Sequence, residues 1–203
     1  MSPSIFLIRH CQSFANAERR YNSREEGDKG LTHLGKLQAQ YLSRYIVGKK
    51  IKKIYHSPFP RAVITANVLA KATHCTAEPM DEFREHWSGE WDGKTELEIV
   101  ARYPDAWRGW HQDPQNNPMP GGETLLELQA RSIPAVQQIV RRHIEENVAI
   151  VTHYCVFNVI LCSLVSSLAN FRCFDTRNAT VAEISMDNIP RLKFYGAPLP
   201  SNL

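Results

Sequence analysis

Apolar residues follow two patterns along this chain. Ile5-Phe6-Leu7-Ile8 is an unbroken apolar run with two β-branched members, which predicts a strand buried on both faces, and it runs straight into Arg9-His10-Cys11-Gln12-Ser13. Ile51-Lys52-Lys53-Ile54-Tyr55-His56-Ser57 and the apolar stretch from Asn147 to His153 predict two more strands, each ending in polar residues. Between them the spacing becomes helical. Leu34, Leu37, Tyr41, Leu42 and Tyr45 follow a candidate N-cap at Thr32 and stop at Gly48. A second helix starts near Arg61, after Pro58 and Pro60, and carries Val63, Ile64, Ala66, Val68 and Leu69. Residues 94 to 110 read as helix broken at Pro104. A long helix follows Thr124 with Leu125, Leu128, Ile133, Val136, Ile139, Val140 and Ile144 on one side, and Pro134 should bend or divide it. Cys155 to Ala169 is apolar enough for a buried helix. Thr180 to Met186 and Arg191 to Tyr195 predict a closing hairpin. Ala15 to Lys29 and the proline-rich stretch from Gln112 to Gly122 read as loops.

Strands alternating with helices imply parallel pairing through right-handed crossovers. The expected fold is therefore α/β, a three-layer sandwich with a mostly parallel central sheet and helices on both faces. With 203 residues, 43% of them hydrophobic, and no repeat or change of composition, the chain is expected to form a single domain over residues 1 to 203.

Charge and cysteine usage narrow the function classes. A formal charge of +3, with only short basic clusters at residues 49 to 53 and 141 to 142, predicts no nucleic-acid footprint. The five cysteines, at 11, 75, 155, 162 and 173, contain no C-x-x-C pair, so neither a disulfide framework nor a metal site is expected. Neither a signal peptide nor a membrane span is expected, and a reducing cytoplasm fits best.

The candidate chemistry lies at the strand ends. In a parallel sheet Arg9 and His10, Ser57 with Arg61 just beyond, and His153 all fall on one edge, where such sheets hold ligands. Arginine forks match phosphate oxygens, and a neutral imidazole has a lone pair to attack phosphorus. Arg61 falls in the first turn of its helix, where a cation opposes the dipole unless an anion is present. Glu85 stands beside aromatic bulk in FREHWSGEWDG, where desolvation raises a carboxyl pKa. Glu82 and Glu90 are close, and only register selects among the three.

These residues resemble the histidine phosphatase superfamily, also called phosphoglycerate mutase-like. Leu7-Ile8-Arg9-His10 with Ser13 and Asn16 is similar to its opening motif, and Leu31-Thr32 with Gly35 and Gln38-Ala39 to its next helix. Ser57-Pro58 with Arg61-Ala62 and Thr65-Ala66 resembles its second arginine motif, and Phe83-Arg84-Glu85 with residues 89 to 93 its acid loop. Pro120-Gly121-Gly122-Glu123-Thr124 and Val151-Thr152-His153 complete the set. The resemblance implies that His10 becomes phosphohistidine, that Arg9, Arg61 and His153 bind the phosphoryl oxygens, and that Glu85 is general acid and then base. It implies no cofactor. Asn16, Ser57, Arg24 and Tyr154 are the further candidates for substrate binding.

Two departures stand out. Cys11 replaces a usual glycine, and Tyr154-Cys155 replaces glycine or alanine after the second histidine. A cysteine-dependent phosphatase built on Cys11 is excluded, because position 17 is alanine and residues 12 to 16 contain no glycine. Cys11 is expected instead to narrow the pocket floor, and to be oxidation-sensitive if Arg9 lowers its pKa. Tyr154 either packs or forms a lip of the pocket. The expected function is hydrolysis of a small phosphomonoester by a monomer or homodimer. A phosphoglycerate mutase and a non-catalytic phospho-ligand binder are the alternatives. The short loop after Asn16 and the early C-terminus favour hydrolysis. Specificity is expected in residues 16 to 30 and 112 to 122, and around Trp87 and Tyr154.

Overall fold

The computed structural model describes residues 3–200. Its sheet is built from β1 (Ser4–Arg9), β2 (Ile51–His56), β3 (Thr76–Pro79), β4 (Asn147–Thr152), β5 (Val181–Ser185) and β6 (Arg191–Gly196), in the order β3-β2-β4-β1-β5-β6. The first four strands run parallel, and β5 and β6 add antiparallel as the predicted hairpin. The helices are α1 (Phe14–Ala17), α2 (His33–Val47), α3 (Pro60–Thr73), α4 (Glu96–Arg102), α5 (Pro104–Gln112), α6 (Leu125–Arg142) and α7 (Tyr154–Val165).

The unbroken apolar runs are explained by burial on two sides. Ile5 and Leu7 of β1 join Val148 and Ile150 of β4 in a core under α6 and α7, while Phe6, Ile8, Ala149 and Val151 face the core under α2 and α3. Each fully buried large side chain contributes about 1.5–3 kcal/mol. The register sets Arg9 opposite Thr152 and His56 opposite Val151, so the three central strands end level.

Local chemistry places the helix starts. Thr32 accepts the N–H of Gly35 at 3.0 Å as the N-cap of α2, and Thr124 forms a capping box with Glu127 on α6. Gly35 also permits a close crossing: a Cβ there would lie 2.0 Å from the carbonyl oxygen of Gln12, two residues after His10.

Three elements differ from the sequence expectation. Of the two outcomes expected at Pro134, division of the helix does not occur: α6 runs on through it, with Leu128, Ala135, Val136 and Ile139 all buried. The polar stretch after Ser13 begins with a helical turn, α1, closed by a capping box between Ser13 and Asn16. Strand β3 carries no apolar run, since as an edge strand it is partly exposed and can end in Pro79. Among the described residues no helix is long and apolar enough to cross a membrane.

Candidate active site

His10 and His153 each follow the last residue of a strand, and their backbones are fixed there. The His10 N–H donates to the Thr152 carbonyl at 2.9 Å, and the His10 carbonyl accepts from Ala179 N–H at 3.3 Å and Asn178 Nδ2 at 3.1 Å. The two rings meet edge to face, with centroids 5.1 Å apart.

Their hydrogen bonds decide the tautomers. His10 Nδ1 lies 2.7 Å from the Cys11 carbonyl, so it carries the proton and leaves the lone pair on Nε2. Arg61 Nε donates to that lone pair at 3.2 Å and to His153 Nδ1 at 3.1 Å. His153 Nε2 is therefore the protonated nitrogen, and it donates to Ser57 Oγ at 2.7 Å. Both imidazoles are held well below their usual pKa, by burial first, then by Arg61, with Arg9 adding to the effect. They are neutral, as a nucleophile must be.

Arg61 is the second residue of α3, and its cost at a helix start is met by a carboxylate that sequence reasoning did not single out. Asp28 Oδ2 accepts Arg61 Nη1 at 2.7 Å, and the Arg61 backbone N–H lies 3.5 Å from the same oxygen. Asp28 stands between Gly27 and Gly30, both at positive φ, in a loop that also holds Glu25 and Glu26. The demand of Arg61 for an anion was the available signal, but nothing local selects among these three. Arg61 Nη2 donates to the Asn22 carbonyl at 2.8 Å. Arg9 donates through Nη1 to the Thr176 carbonyl at 2.6 Å, while its buried Nε has no partner among the described residues. A buried donor of this kind calls for an acceptor, and a phosphoryl oxygen would serve.

A cavity of about 340 Å³ opens over these groups and is lined by Arg9, His10, Asn16, Arg61, Glu85 and Tyr154, among others. Glu82 and Glu90 are exposed, so of the three carboxyls only Glu85 reaches it. Burial raises the Glu85 pKa, against the opposing pull of Arg61, the His86 N–H, Arg9 and Arg131. His86 lines the same cavity with both ring nitrogens unpartnered among the described residues, stacked on Trp110 and held down at about 4 by burial. A lone histidine in an acidic loop gave no sequence signal.

The remaining candidates divide. Asn16 lines the cavity, its Oδ1 accepting from Ser13 and from Asn178 Nδ2. Ser57 lies behind His153. Tyr154 both packs and forms a lip: it lines the cavity, stands 5.4 Å from the Arg9 guanidinium and meets Phe171 edge-on. Arg24 is not brought to His10. It is exposed, paired with Asp92 at 3.3 Å and stacked over Trp87, and it lines a neighbouring cavity on the far side of Glu85.

A model of the histidine phosphatase superfamily, branch 1, matches residues 5–191. The chain belongs to this superfamily. Phosphoserine phosphatase 1 of Hydrogenobacter thermophilus is 29% identical over 184 residues, 90% of this chain and 86% of that protein. The structure of Bacillus stearothermophilus YhfR superposes with a TM-score of 0.87 at 28% identity, covering 95% and 96% of the two chains. A mycobacterial glucosyl-3-phosphoglycerate phosphatase superposes equally well, at 0.87 and 25% identity, covering 97% and 100%.

For a histidine phosphatase the departure at Cys11 now has a physical account that corrects the expectation. Its thiol does not line the cavity. The side chain is fully buried in the core with Phe6, Ile8 and Leu31, and burial pushes its pKa up to about 12, so Arg9 does not activate it. Cys155, in contrast, does line the cavity, also as a buried thiol raised well above its usual value by burial and by Glu85.

Proposed function

We propose that this histidine phosphatase hydrolyses a small phosphomonoester by way of phosphohistidine on His10. In the first step His10 Nε2 forms a bond to phosphorus, the ester P–O bond breaks, and the Glu85 carboxyl passes its proton to the departing oxygen. In the second, Glu85 takes a proton from water as the water oxygen bonds to phosphorus and the N–P bond breaks. Arg9 and Arg61 bind the phosphoryl oxygens, whose charge in a loose transition state needs fixed cations and donors, and His153 joins them in its other tautomer, with the Ser57 hydroxyl donating to Nε2 and Nδ1–H turned to the phosphoryl group. Ser57 orients His153, and Asn16 and Tyr154 contact the substrate. Arg24 acts from outside this cavity. L-Phosphoserine, the substrate named for the Hydrogenobacter relative, is the first compound to test.

One observation carries this reading: His10 is neutral, with Nδ1 tied to a carbonyl and the Nε2 lone pair directed at the Nε–H of Arg61. A phosphoryl group entering between them finds a nucleophile on one side and a cation on the other. Incubation with labelled substrate is expected to trap an acid-labile, base-stable phosphoenzyme that is absent in His10→Ala. A base-labile adduct, or one that survives the substitution, overturns the reading. Transfer of phosphoryl to a second alcohol in place of water would point to a mutase.

A further inference from the structure

Glu123 belongs to the motif 120 to 124, yet the reaction above gives it no task. Its carboxylate meets Arg131, two turns along α6, in a two-point fork: Arg131 Nε lies 2.6 Å from Oε1 and Nη2 2.9 Å from Oε2. The two terminal nitrogens also reach the loop backbone. Nη1 donates to the carbonyl of Glu82 at 2.6 Å, and Nη2 to those of Arg84 at 2.9 Å and Glu85 at 3.3 Å. Glu123 in turn accepts the Trp87 N–H on Oε2 at 3.3 Å, and its own N–H donates to the Trp87 carbonyl at 2.9 Å. One ion pair therefore grips the loop on both sides of the catalytic carboxyl.

The loop needs such a grip. Between the 3-10 turns Asp81–Phe83 and Gly89–Trp91, residues 84 to 88 belong to no helix or strand, so no ladder of backbone hydrogen bonds orients Glu85. Among the described residues Thr152 supplies the one other side-chain donor to this run of carbonyls, bonding that of Phe83 at 2.9 Å. With it, every carbonyl from 82 to 85 is held by a side chain, and three of the four by Arg131. Only a planar guanidinium with five donors can serve a carboxylate and three carbonyls at once; a lysine ammonium has three donors and no fork. A proton donor must stand within hydrogen-bond reach of the leaving oxygen, and a displacement of about 1 Å can cost about a hundredfold in rate.

We propose that Arg131 and Glu123 are positioning residues for proton transfer, holding the 82 to 87 backbone so that the Glu85 carboxyl faces the leaving-group oxygen. This rests on Glu85 as the general acid. The consequence is selective: a clamp that places a proton donor matters for substrates whose leaving group needs the proton, and little for those that leave as a stable anion.

The test compares kcat/KM, which reports formation of the phosphoenzyme, for two alkyl phosphates (L-phosphoserine and glycerol 2-phosphate) and for p-nitrophenyl phosphate. Glu85→Gln is expected to lose activity toward the alkyl phosphates by about a hundredfold or more while keeping most of that toward p-nitrophenyl phosphate. Arg131→Lys keeps the charge and loses the fork, and is expected to show the same selectivity at about tenfold or more. Glu123→Gln, which keeps an acceptor for Trp87 and one bond to Arg131, should shift the ratio the same way by less, and it carries the test if Arg131→Lys does not fold. Equal losses on both substrate types in the clamp variants, with Glu85→Gln selective, overturn the clamp. Equal losses in Glu85→Gln overturn the acid reading and this inference with it.

Discussion

The carboxylate of Asp28 lies 2.7 Å from Arg61 Nη1, and both side chains are almost wholly withdrawn from solvent. This buried pair fixes the guanidinium whose Nε–H is shared by the imidazoles of His10 and His153, so a residue in a polar loop controls the geometry of groups at the ends of two strands. Removing one partner of a buried pair strands the other's charge, at about 3–5 kcal/mol. Asp28→Ala is expected to lower the unfolding free energy by about 3 kcal/mol, measured by denaturant titration, and to reduce kcat. Asp28→Asn keeps an acceptor for Nη1 and should recover part of both. Unchanged stability in Asp28→Ala would show that Arg61 does not depend on this contact.

The pH dependence of the proposed reaction follows from opposite shifts. His10 must be neutral to attack, and its pKa is held well below the ordinary 6.5, so the acid limb of kcat/KM should lie well below that value. Glu85 must be protonated to donate, and its pKa is raised above the ordinary 4.5, so activity should decline as pH rises through the Glu85 value. In Glu85→Gln the residual activity should lose that alkaline limb. Stability moves the other way. A carboxyl with a raised folded pKa costs stability wherever it is ionised, so Glu85→Gln should be more stable than the parent near pH 7. The gain should vanish as pH falls below about 4.5. A pH-independent difference in unfolding free energy would contradict this.

Cys11 provides a third expectation. As a buried member of the core, its truncation in Cys11→Ala should lower stability by about 1–2 kcal/mol through the small void it leaves. Activity at saturating substrate should be retained, and the parent enzyme should resist alkylation at this position while folded. Complete inactivation of a folded Cys11→Ala protein would return the thiol to the mechanism.

The parts of the fold that can be read from the chain are those whose cause is local or periodic. Strands β1 and β4 are buried on both faces and so write apolar runs, while β2 keeps Ile51, Ile54 and Tyr55 buried around two lysines; the polar residues that end these strands mark the sheet edge, which is why Arg9, His10, Ser57 and His153 can be placed together from the order of residues. Thr32 and Thr124 announce their helices because a side-chain oxygen satisfies the first free N–H groups. Strand β3 escapes such a reading because a short, half-exposed edge strand needs no apolar run, and the unbroken α6 does so because burial of one face outweighs the disruption at Pro134.

The sequence by itself determined the sheet, the motif-bearing strand ends and the inventory of imidazoles, guanidiniums and carboxyls. Only the tertiary structure decided how these side chains are used. Asp28, rather than Glu25 or Glu26, reaches Arg61; Cys11 turns into the core while His10 turns to the cavity; Arg24 stays outside it; and Arg131 grips carbonyls 46 to 49 residues earlier in the chain. Each of these is settled by contacts between segments distant in sequence. No periodicity or local spacing encodes such a contact, because its partner is chosen by the packing of the layers and not by the neighbours along the chain.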